Sequence, residues 1–313
     1  MLKKLEKSVC YDYYWRFAFA RQSRFFARKT STACYEPDTI LDQYKFTNCY
    51  RALDRASQYL IKNITNRNDL SKSDTFFRII LFKLFNKIET WEALERKVDG
   101  IKLSNFNLAH YATALEEIKA EAHSIYSAAY IMPSGMQYGS PLKHVNNLRM
   151  LAKFIDNGTS DRIWDTESLE RTYHVFLDTP SLGKFLAMQL SVDCAYSRYS
   201  SNKEDQFVVA GPGAERGISK CFPHAKPTDY VNIIKHMQNI QEEEFQRLRL
   251  DFNYLDNRRL QLIDCQNIFC ELDKYLRVKH PEFNRGTKRI KQHYKPNLLA
   301  IEYELPKKWN SQI

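Results

Sequence analysis

Residues 207–222 read FVVAGPGAERGISKCF, and this stretch decides the predicted fold. An apolar run from Phe207 to Ala210 precedes Gly211-Pro212-Gly213, and a helix-like segment follows it. A hydrophobic helix end, a glycine turn and a new helix together are the pattern of a helix-hairpin-helix motif. The stretch therefore predicts two helices joined by a tight turn.

The predicted turn is suited to binding a phosphate group. Glycine lets a backbone approach an anion closely, and the N–H groups and dipole at a helix start favour negative charge. We therefore expect Gly211 and Gly213 to contact a DNA backbone, with Arg216 and Lys220 adding positive charge. The alternative is an ordinary turn, because most glycine turns of this kind bind nothing.

The composition of the 313 residues favours a helical protein that binds nucleic acid. Hydrophobic residues make up 43%, and only 9 glycines and 10 prolines are present, which predicts long helices and an all-α fold. The net charge of +10 indicates an anionic partner. Since no apolar run approaches the roughly 20 residues of a membrane span, we expect DNA rather than a membrane. Lys288 and Arg289, in the basic tail, are expected to contact it.

The cysteines and the opening residues bear on the compartment. Seven cysteines at irregular spacings are typical of reduced thiols in a cytoplasm. They form no CxxC pair, so we expect no metal site, no iron–sulfur cluster and no other cofactor. The opening residues, MLKKLEKSVCYDYYWRF, lack a clean apolar core and a cleavage site, so they do not predict a signal peptide. We expect a cytoplasmic monomer.

Hydrophobic periodicity predicts a series of helices. They cover 39–64, 74–97 (as one helix or two), 107–131, 142–156, 166–177, 181–200, 228–248 and 262–279. A loop at 132–141 is marked by proline and glycine. A soft boundary near residue 178 predicts an N-terminal helical lobe, 1–178, and a helix-hairpin-helix lobe with a basic C-terminal tail, 179–313. We expect a cleft between the two lobes.

A first set of polar residues recurs at helical spacing within 39–64. Asn48, Arg51, Arg55 and Gln58 would share one face of a continuous helix. Because Asn and Gln amides can read the Watson–Crick edge of an extruded base, Asn48, Arg51 and Gln58 are candidates for a pocket wall. The alternative is the solvated face of a surface helix.

Two further predicted helices carry polar residues among apolar ones. Gln189 and Asp193 lie one turn apart, and such groups are costly to bury without partners, so they form either an internal hydrogen bond or part of a site. In 262–279, Asn267 and Glu271 share one face and Asp264 stands at the helix start. A carboxylate there can stabilise the positive charge that builds on a sugar when an N-glycosidic bond breaks. The alternative role for Asp264 is an ordinary N-cap.

Four segments, in order, resemble the alpha-glutamyl/putrescinyl thymine pyrophosphorylase family, whose members are also described as the helical domain of 5-hydroxymethyluracil DNA kinases. The segments are KFTNCYRALDRASQYLI, SLGKFLAMQLSVDCAYS, FVVAGPGAERGISKCF and IDCQNIFCELDKYLR, and the resemblance spans roughly residues 12–280. The family is similar in fold to helix-hairpin-helix DNA glycosylases. Its phage members are implicated in thymine hypermodification, and its bacterial relatives look like antiphage glycosylases that excise bulky modified pyrimidines.

The resemblance implies a set of site residues. They are Asn48, Arg51, Gln189, Asp193, Gly211, Gly213, Asp264, Gln266, Asn267 and Glu271. One departure leaves the catalytic carboxylate open, because Asp264 follows the glycine turn at a much greater distance than the catalytic Asp of typical glycosylases of that superfamily. Asp229 lies nearer the usual distance, and Asp193 is a further candidate.

The resemblance and the polar residues together lead us to expect a monofunctional DNA N-glycosylase. It would flip a hypermodified pyrimidine, such as glucosylated 5-hydroxymethylcytosine, out of duplex phage DNA, hydrolyse its N-glycosidic bond and leave an abasic site in antiphage defence. One alternative is a transferase that replaces pyrophosphate on activated 5-hydroxymethyluracil in DNA with an amine or amino acid. Another is a non-enzymatic reader of modified DNA. The chain contains no P-loop sequence, which argues against a kinase within it.

Overall fold

The computed structural model describes residues 6–30, 37–122, 124–128, 131–284, 289–290, 292–295 and 301–310. Within these ranges the chain is all-helical, and its β pairing consists of two isolated bridges, Tyr44 with His293 and Leu255 with Arg258. The predicted all-α fold is therefore confirmed.

The α-helices vary widely in length, and short 3-10 and π turns link some of them. In chain order they are α1 (Cys10–Lys29), α2 (Thr39–Gln43), α3 (Arg55–Leu60), α4 (Lys72–Phe85), α5 (Ile88–Lys97), α6 (Leu108–Ala122), α7 (Lys143–Asp156), α8 (Thr159–Trp164), α9 (Leu169–Leu177), α10 (Lys184–Ala195), α11 (Pro212–Cys221), α12 (Tyr230–Asn239), α13 (Gln241–Arg247), α14 (Leu262–Lys279) and α15 (Lys307–Asn310).

The chain divides into two compact units, each made of two chain segments. The first unit comprises Met1–Asp54 and Phe207–Tyr303, and the second comprises Arg55–Gln206 and Glu304–Ile313. These units are defined by contacts within the chain. The lobe boundary near residue 178 and the cleft between lobes stay predictions.

The first unit is built on α14, whose observed bounds coincide with the predicted helix 262–279. Helix α1 packs on it, with the Tyr14 and Phe269 rings 4.5 Å apart between centroids, and α11 packs on it as well. Leu272 and Leu276 are fully buried on α14. A helix with this much buried surface forms the centre of its unit, because apolar burial supplies most of the driving force for folding.

The second unit is centred on α4. Its residues from Thr75 to Phe85 are all buried, Arg78 and Lys83 included, and most of them are apolar. The Ser71 side chain accepts from the Asp74 N–H at 3.1 Å, and Asn86 ends the helix in the left-handed conformation with φ of 47°. The region 74–97 is therefore two helices, α4 and α5, which is one of the two predicted arrangements.

Several predicted helices are interrupted. The region 39–64 is not one helix, because residues 44–50, after α2, are not helical and a 3-10 turn, Arg51–Leu53, follows them. The helix resumes at α3, which continues directly into a π-helical turn, Ile61–Thr65. The region 228–248 breaks at Ile240 between α12 and α13. Residues 207–210 are irregular, so no helix leads directly into the glycine turn, and only the following helix, α11, is as predicted.

Candidate functional site

In the first unit, the segment from Lys45 to Asp54 lies against α14 and is held there through its backbone. The Thr47 N–H donates to Glu271 Oε2 at 2.9 Å, and the Arg51 N–H donates to Asp264 Oδ1 at 2.8 Å. Lys274 Nζ bridges Glu271 Oε2 and the Lys45 carbonyl, at 2.9 Å each. The Asp264 and Glu271 side chains of α14 thus hold the backbone of residues 45–54, which are distant in the sequence. We call this segment the 45–54 segment.

Within the 45–54 segment, Asn48 is the centre of a hydrogen-bonded loop. Its N–H donates to Asp54 Oδ1 at 3.0 Å, and its Nδ2 donates to the Leu53 carbonyl at 2.8 Å. Its Oδ1 accepts from Arg21 Nη2 at 3.0 Å, and Arg21 Nε also donates to the Thr47 carbonyl at 3.1 Å. Asn48 therefore shapes the loop, and its predicted contact with a base stays a prediction.

Asp54 is the carboxyl group of this loop, and its acidity is strongly altered. Burial is the main cause that raises its pKa, and the nearby Glu271 adds to the rise. The Asn48 N–H, Arg51 and Arg21 counteract part of it, and the resulting pKa is about 7. A carboxyl group with a pKa near neutrality can exchange a proton at physiological pH, which is a property of general acids and bases. The sequence indicated for Asp54 only a pairing with a nearby arginine, because the predicted continuous helix over 39–64 gave no sign that this carboxyl group is buried.

Asp264 lies near the start of α14 and has a capping role. Its Oδ2 accepts from the Gln261 N–H at 2.9 Å, completing a capping box, while its Oδ1 accepts from Arg51. Only 4% of the residue is exposed. Both carboxylate oxygens thus hold backbone N–H groups, which matches the capping alternative. The proposed catalytic role of Asp264 stays a prediction.

Two other predicted residues lie on α14 close to Asp264, and a third does not. Gln266 is buried and donates to Asn267 Oδ1 at 3.1 Å, so the two amides pair with each other. Asp229 instead accepts from the Lys226 N–H at 2.8 Å, in a capping box before α12. Asp229 therefore stabilises the start of a different helix.

The remaining predicted pocket residues belong to the second unit. Asp193 is fully buried in α10, with Oδ2 3.3 Å from Lys83 Nζ, and Gln189 on the same helix is 7% exposed. Gln58 exchanges two hydrogen bonds with the backbone of Glu304, at 2.9 and 3.0 Å. The continuous helix face proposed for Asn48, Arg51, Arg55 and Gln58 does not exist, since α3 begins only at Arg55.

The glycines of α11 allow this helix to approach α14 closely. A Cβ at Gly213 would overlap the Cys270 side chain, and one at Gly217 would overlap the Phe269 carbonyl. Gly211 is the N-cap residue of α11, with Pro212 in its first turn. Helix packing therefore accounts for Gly213 without a ligand, and phosphate binding at Gly211 and Gly213 stays a prediction.

Three cations surround one buried carboxylate beside α11. Asp273 lies 3.0 Å from Arg216 and from Lys220, and 2.7 Å from Arg277. Although burial works to raise the pKa of Asp273, Arg277 and Lys220 hold it below its ordinary value. Arg216 keeps 55% of its side chain exposed, so it can reach other anions. Arg289 is exposed, and Lys288 lies outside the described residues.

Two surface hollows lie along α1, away from the predicted site residues. The larger has a volume of about 560 Å³ and the smaller about 170 Å³, and Tyr13 and Arg16 line both. Among the residues that the structure describes, no group of three His, Cys, Asp or Glu side chains is placed to hold a metal ion. None of the described helices has both the length and the apolar character that crossing a membrane requires.

Comparison with known proteins defines the class. Residues 8–285 match the family described as "5-hmdU DNA kinase, helical domain", so the chain belongs to this family. A relative from Bacillus phage SP10, named "5-hmdU DNA kinase", is 22% identical over 287 residues. The alignment covers 85% of this chain and 44% of that protein, so the chain spans less than half of its relative. No solved structure matches the chain.

These findings correct the expected activity. The relative is named a kinase, which transfers a phosphoryl group, whereas the sequence led us to expect a hydrolase that removes a base. The prediction of a DNA glycosylase acting in antiphage defence is therefore wrong. The resemblance to the helical domain of 5-hydroxymethyluracil DNA kinases is confirmed, and closeness to the antiphage glycosylases is not shown.

Proposed function

We propose that this chain binds DNA containing 5-hydroxymethyldeoxyuridine and takes part in phosphoryl transfer to the hydroxymethyl oxygen. The observation that carries the proposal is the match of residues 8–285 to the helical domain of 5-hmdU DNA kinases. The net charge of +10 supports a polyanionic substrate. Two earlier expectations stay predictions: that the protein is a cytoplasmic monomer, and that its fold is similar to that of helix-hairpin-helix glycosylases.

The 45–54 segment is the proposed site for the modified base. In the transfer, the hydroxymethyl oxygen bonds to the γ-phosphorus of a nucleoside triphosphate, the nucleoside diphosphate leaves, and the hydroxyl proton must go to a base. Asp54, with intermediate exposure and a pKa near 7, is suited to accept that proton. Arg21 and Arg51 supply positive charge close to it.

The sequence contains no P-loop for the nucleotide phosphates. The chain contains no G-x-x-x-x-G-K-[ST] sequence, the loop that cradles phosphates in P-loop kinases. We therefore propose that this chain binds the DNA substrate. The nucleotide binds either to another polypeptide or to a site of a different kind.

The test is phosphate incorporation into defined duplexes. Purified protein, alone and with extract from the cells that produce it, receives γ-labelled ATP, Mg²⁺ and a duplex with one 5-hydroxymethyldeoxyuridine. We expect label in this duplex and none in a matched thymidine duplex. Asp54→Asn should lower incorporation by at least about tenfold, as loss of a general base does. Asp251→Asn, at an exposed carboxylate, should leave it unchanged.

Two results would contradict the proposal. Equal affinity for the modified and thymidine duplexes, with no incorporation under any condition, would remove 5-hydroxymethyldeoxyuridine as the substrate. Full incorporation by Asp54→Asn would keep the substrate but remove Asp54 as the base.

A further inference from the structure

The loop from Ile131 to Leu142, in the second unit, exposes apolar side chains to solvent. Exposure reaches 82% for Ile131, 63% for Met136 and 41% for Leu142. Three of the seven exposed large hydrophobic side chains in the described part of the chain thus belong to this loop. A concentration of exposed apolar residues marks an interaction surface, whereas isolated ones do not.

The conformation of the loop is fixed by two glycines. Gly135 and Gly139 have φ angles of 65° and 77°, a region that disfavours other residues, and they bracket the 3-10 turn Met136–Tyr138. A Cβ at Gly135 would also lie 3.0 Å from the Asn146 Cβ, closer than such atoms normally approach. The turn that carries Met136 is therefore specified by the sequence around it.

A buried asparagine on α7, Asn146, holds the backbone of the loop through hydrogen bonds. Asn146 has no exposed surface, and its Nδ2 donates to the carbonyls of Ser134 and Ser140 at 3.0 and 2.8 Å. Its Oδ1 accepts from the Ser140 N–H at 2.9 Å. Arg149 Nη1 donates to the Tyr138 carbonyl at 2.6 Å. The loop is thus held on both sides of Met136, and it needs little ordering when it binds a partner.

The charges around the loop favour an anionic partner. No Asp or Glu occurs between Ala122 and Ile155, whereas Lys143, Arg149 and Lys153 fall within that stretch. Lys143 and Lys153 lie over the rings of Tyr126 and Tyr138, at 4.2 and 5.0 Å from the centroids. These three basic side chains are complementary in charge to phosphate groups.

We propose that the loop Ile131–Leu142 contacts duplex DNA, with Met136 entering between two base pairs while Lys143 and Lys153 lie near the phosphates. Apolar side chains of this size unstack base steps in other DNA-binding proteins, and an unstacked step eases extrusion of a neighbouring base. The inference rests on the proposed function only in taking DNA as the ligand.

The test measures unstacking directly with an unmodified duplex that carries one 2-aminopurine, whose fluorescence rises when it loses its stacked neighbours. We expect the full chain to raise the fluorescence at saturation. Met136→Ala should lose most of that rise and bind the duplex about tenfold more weakly, with single-strand binding unchanged. Val9→Ala, at a side chain that is 56% exposed in the first unit, is the matched control and should behave as the unaltered protein.

Three outcomes would overturn the inference. They are no duplex binding by the unaltered protein, full fluorescence with Met136→Ala, and self-association that Met136→Ala abolishes while duplex binding persists. Because the duplex is unmodified and no phosphate is transferred, this experiment can succeed where the incorporation assay fails. Failure of the inference is thus distinguishable from failure of the proposed function.

Discussion

The backbone N–H of Asn48 donates to Asp54 Oδ1 across 3.0 Å and closes a loop around a carboxyl group whose surroundings oppose its ionisation. Arg51, inside the loop, donates its own N–H to Asp264 on α14. The loop is therefore closed by the Asn48–Asp54 hydrogen bond and held to α14 by the Arg51–Asp264 hydrogen bond. The carboxyl groups of Asp54 and Asp264 have different roles. Asp264 supports the backbone, while Asp54 is the group that can change its charge near neutral pH.

Asp54 should make the protein less stable as the pH rises. The pKa of Asp54 is about 7 in the folded chain and about 3.9 in an unfolded one. Between these values the folded state binds more protons, so the free energy of unfolding falls with rising pH and levels off above about pH 7. Asp54→Asn should remove this fall and stabilise the protein at about pH 8 by on the order of 1–3 kcal/mol.

Urea unfolding of both proteins across that pH range measures the effect. Asp251→Asn serves as the control, because the carboxyl group of Asp251 is exposed. A stability difference between Asp54→Asn and the unaltered protein that stays constant from about pH 5 to about pH 8 would show that Asp54 is ionised throughout.

Gly217→Ala should separate α11 from α14. The added Cβ would overlap the Phe269 carbonyl, and backbone cannot move aside as a flexible side chain can. We expect a loss of about 3 kcal/mol or more in the free energy of unfolding. Gly183→Ala is the control, because a Cβ there meets no atom within 4 Å. Equal unfolding midpoints for the two variants would disprove the close packing.

The sequence predicted α14 to the residue because its apolar side chains repeat regularly and most of them are buried. It predicted a continuous helix over 39–64 for the same reason, and there it failed. The Asn48 and Asp54 side chains bond to nearby backbone groups and offer the chain an alternative to helix. The anchors on α14 that stabilise this alternative, Asp264 and Glu271, are more than 200 positions away.

The glycine turn is a second place where the local sequence pattern did not reveal the role of its residues. Gly211 and Gly213 lie in a pattern that suits phosphate binding, but Gly213, together with Gly217, is needed where α11 meets α14. A local pattern carries no information about which distant helix will lie against it. The same holds for Asp54, since its raised pKa comes from burial and from Glu271 on another element.

Asp273→Asn should change stability and DNA affinity in opposite directions. Removing the carboxylate leaves Arg216, Lys220 and Arg277 without their shared anion, which we expect to cost about 2–4 kcal/mol of stability. The surface gains one positive charge, so affinity for duplex DNA at low salt should rise about two- to fivefold. Asp251→Asn adds the same charge at an exposed site. Comparing the two variants shows whether the gain in DNA affinity depends on the position of the added charge.

The lowered pKa of Asp273 gives the same variant a pH signature. The carboxylate stabilises the fold above its unfolded pKa of about 3.9, and that stabilisation is lost as the pH falls through the lower folded value. The stability difference between Asp273→Asn and the unaltered protein should therefore shrink below about pH 4. A difference that grows on acidification would mean that Asp273 is protonated in the folded protein.

Asn146→Ala should release the Ile131–Leu142 loop without disrupting α7. Three hydrogen bonds to the loop backbone are lost, and at about 1 kcal/mol each the free energy of unfolding should fall by roughly 3 kcal/mol. The control is Asn147→Ala, whose side chain donates to the Tyr126 hydroxyl. Limited proteolysis should cut Asn146→Ala near Met136 much faster than the control, because a released loop fits a protease and a fixed one does not. If both variants are cut at the same rate, the Asn146 hydrogen bonds do not hold the loop, and the rigidity on which insertion of Met136 depends comes from its other contacts.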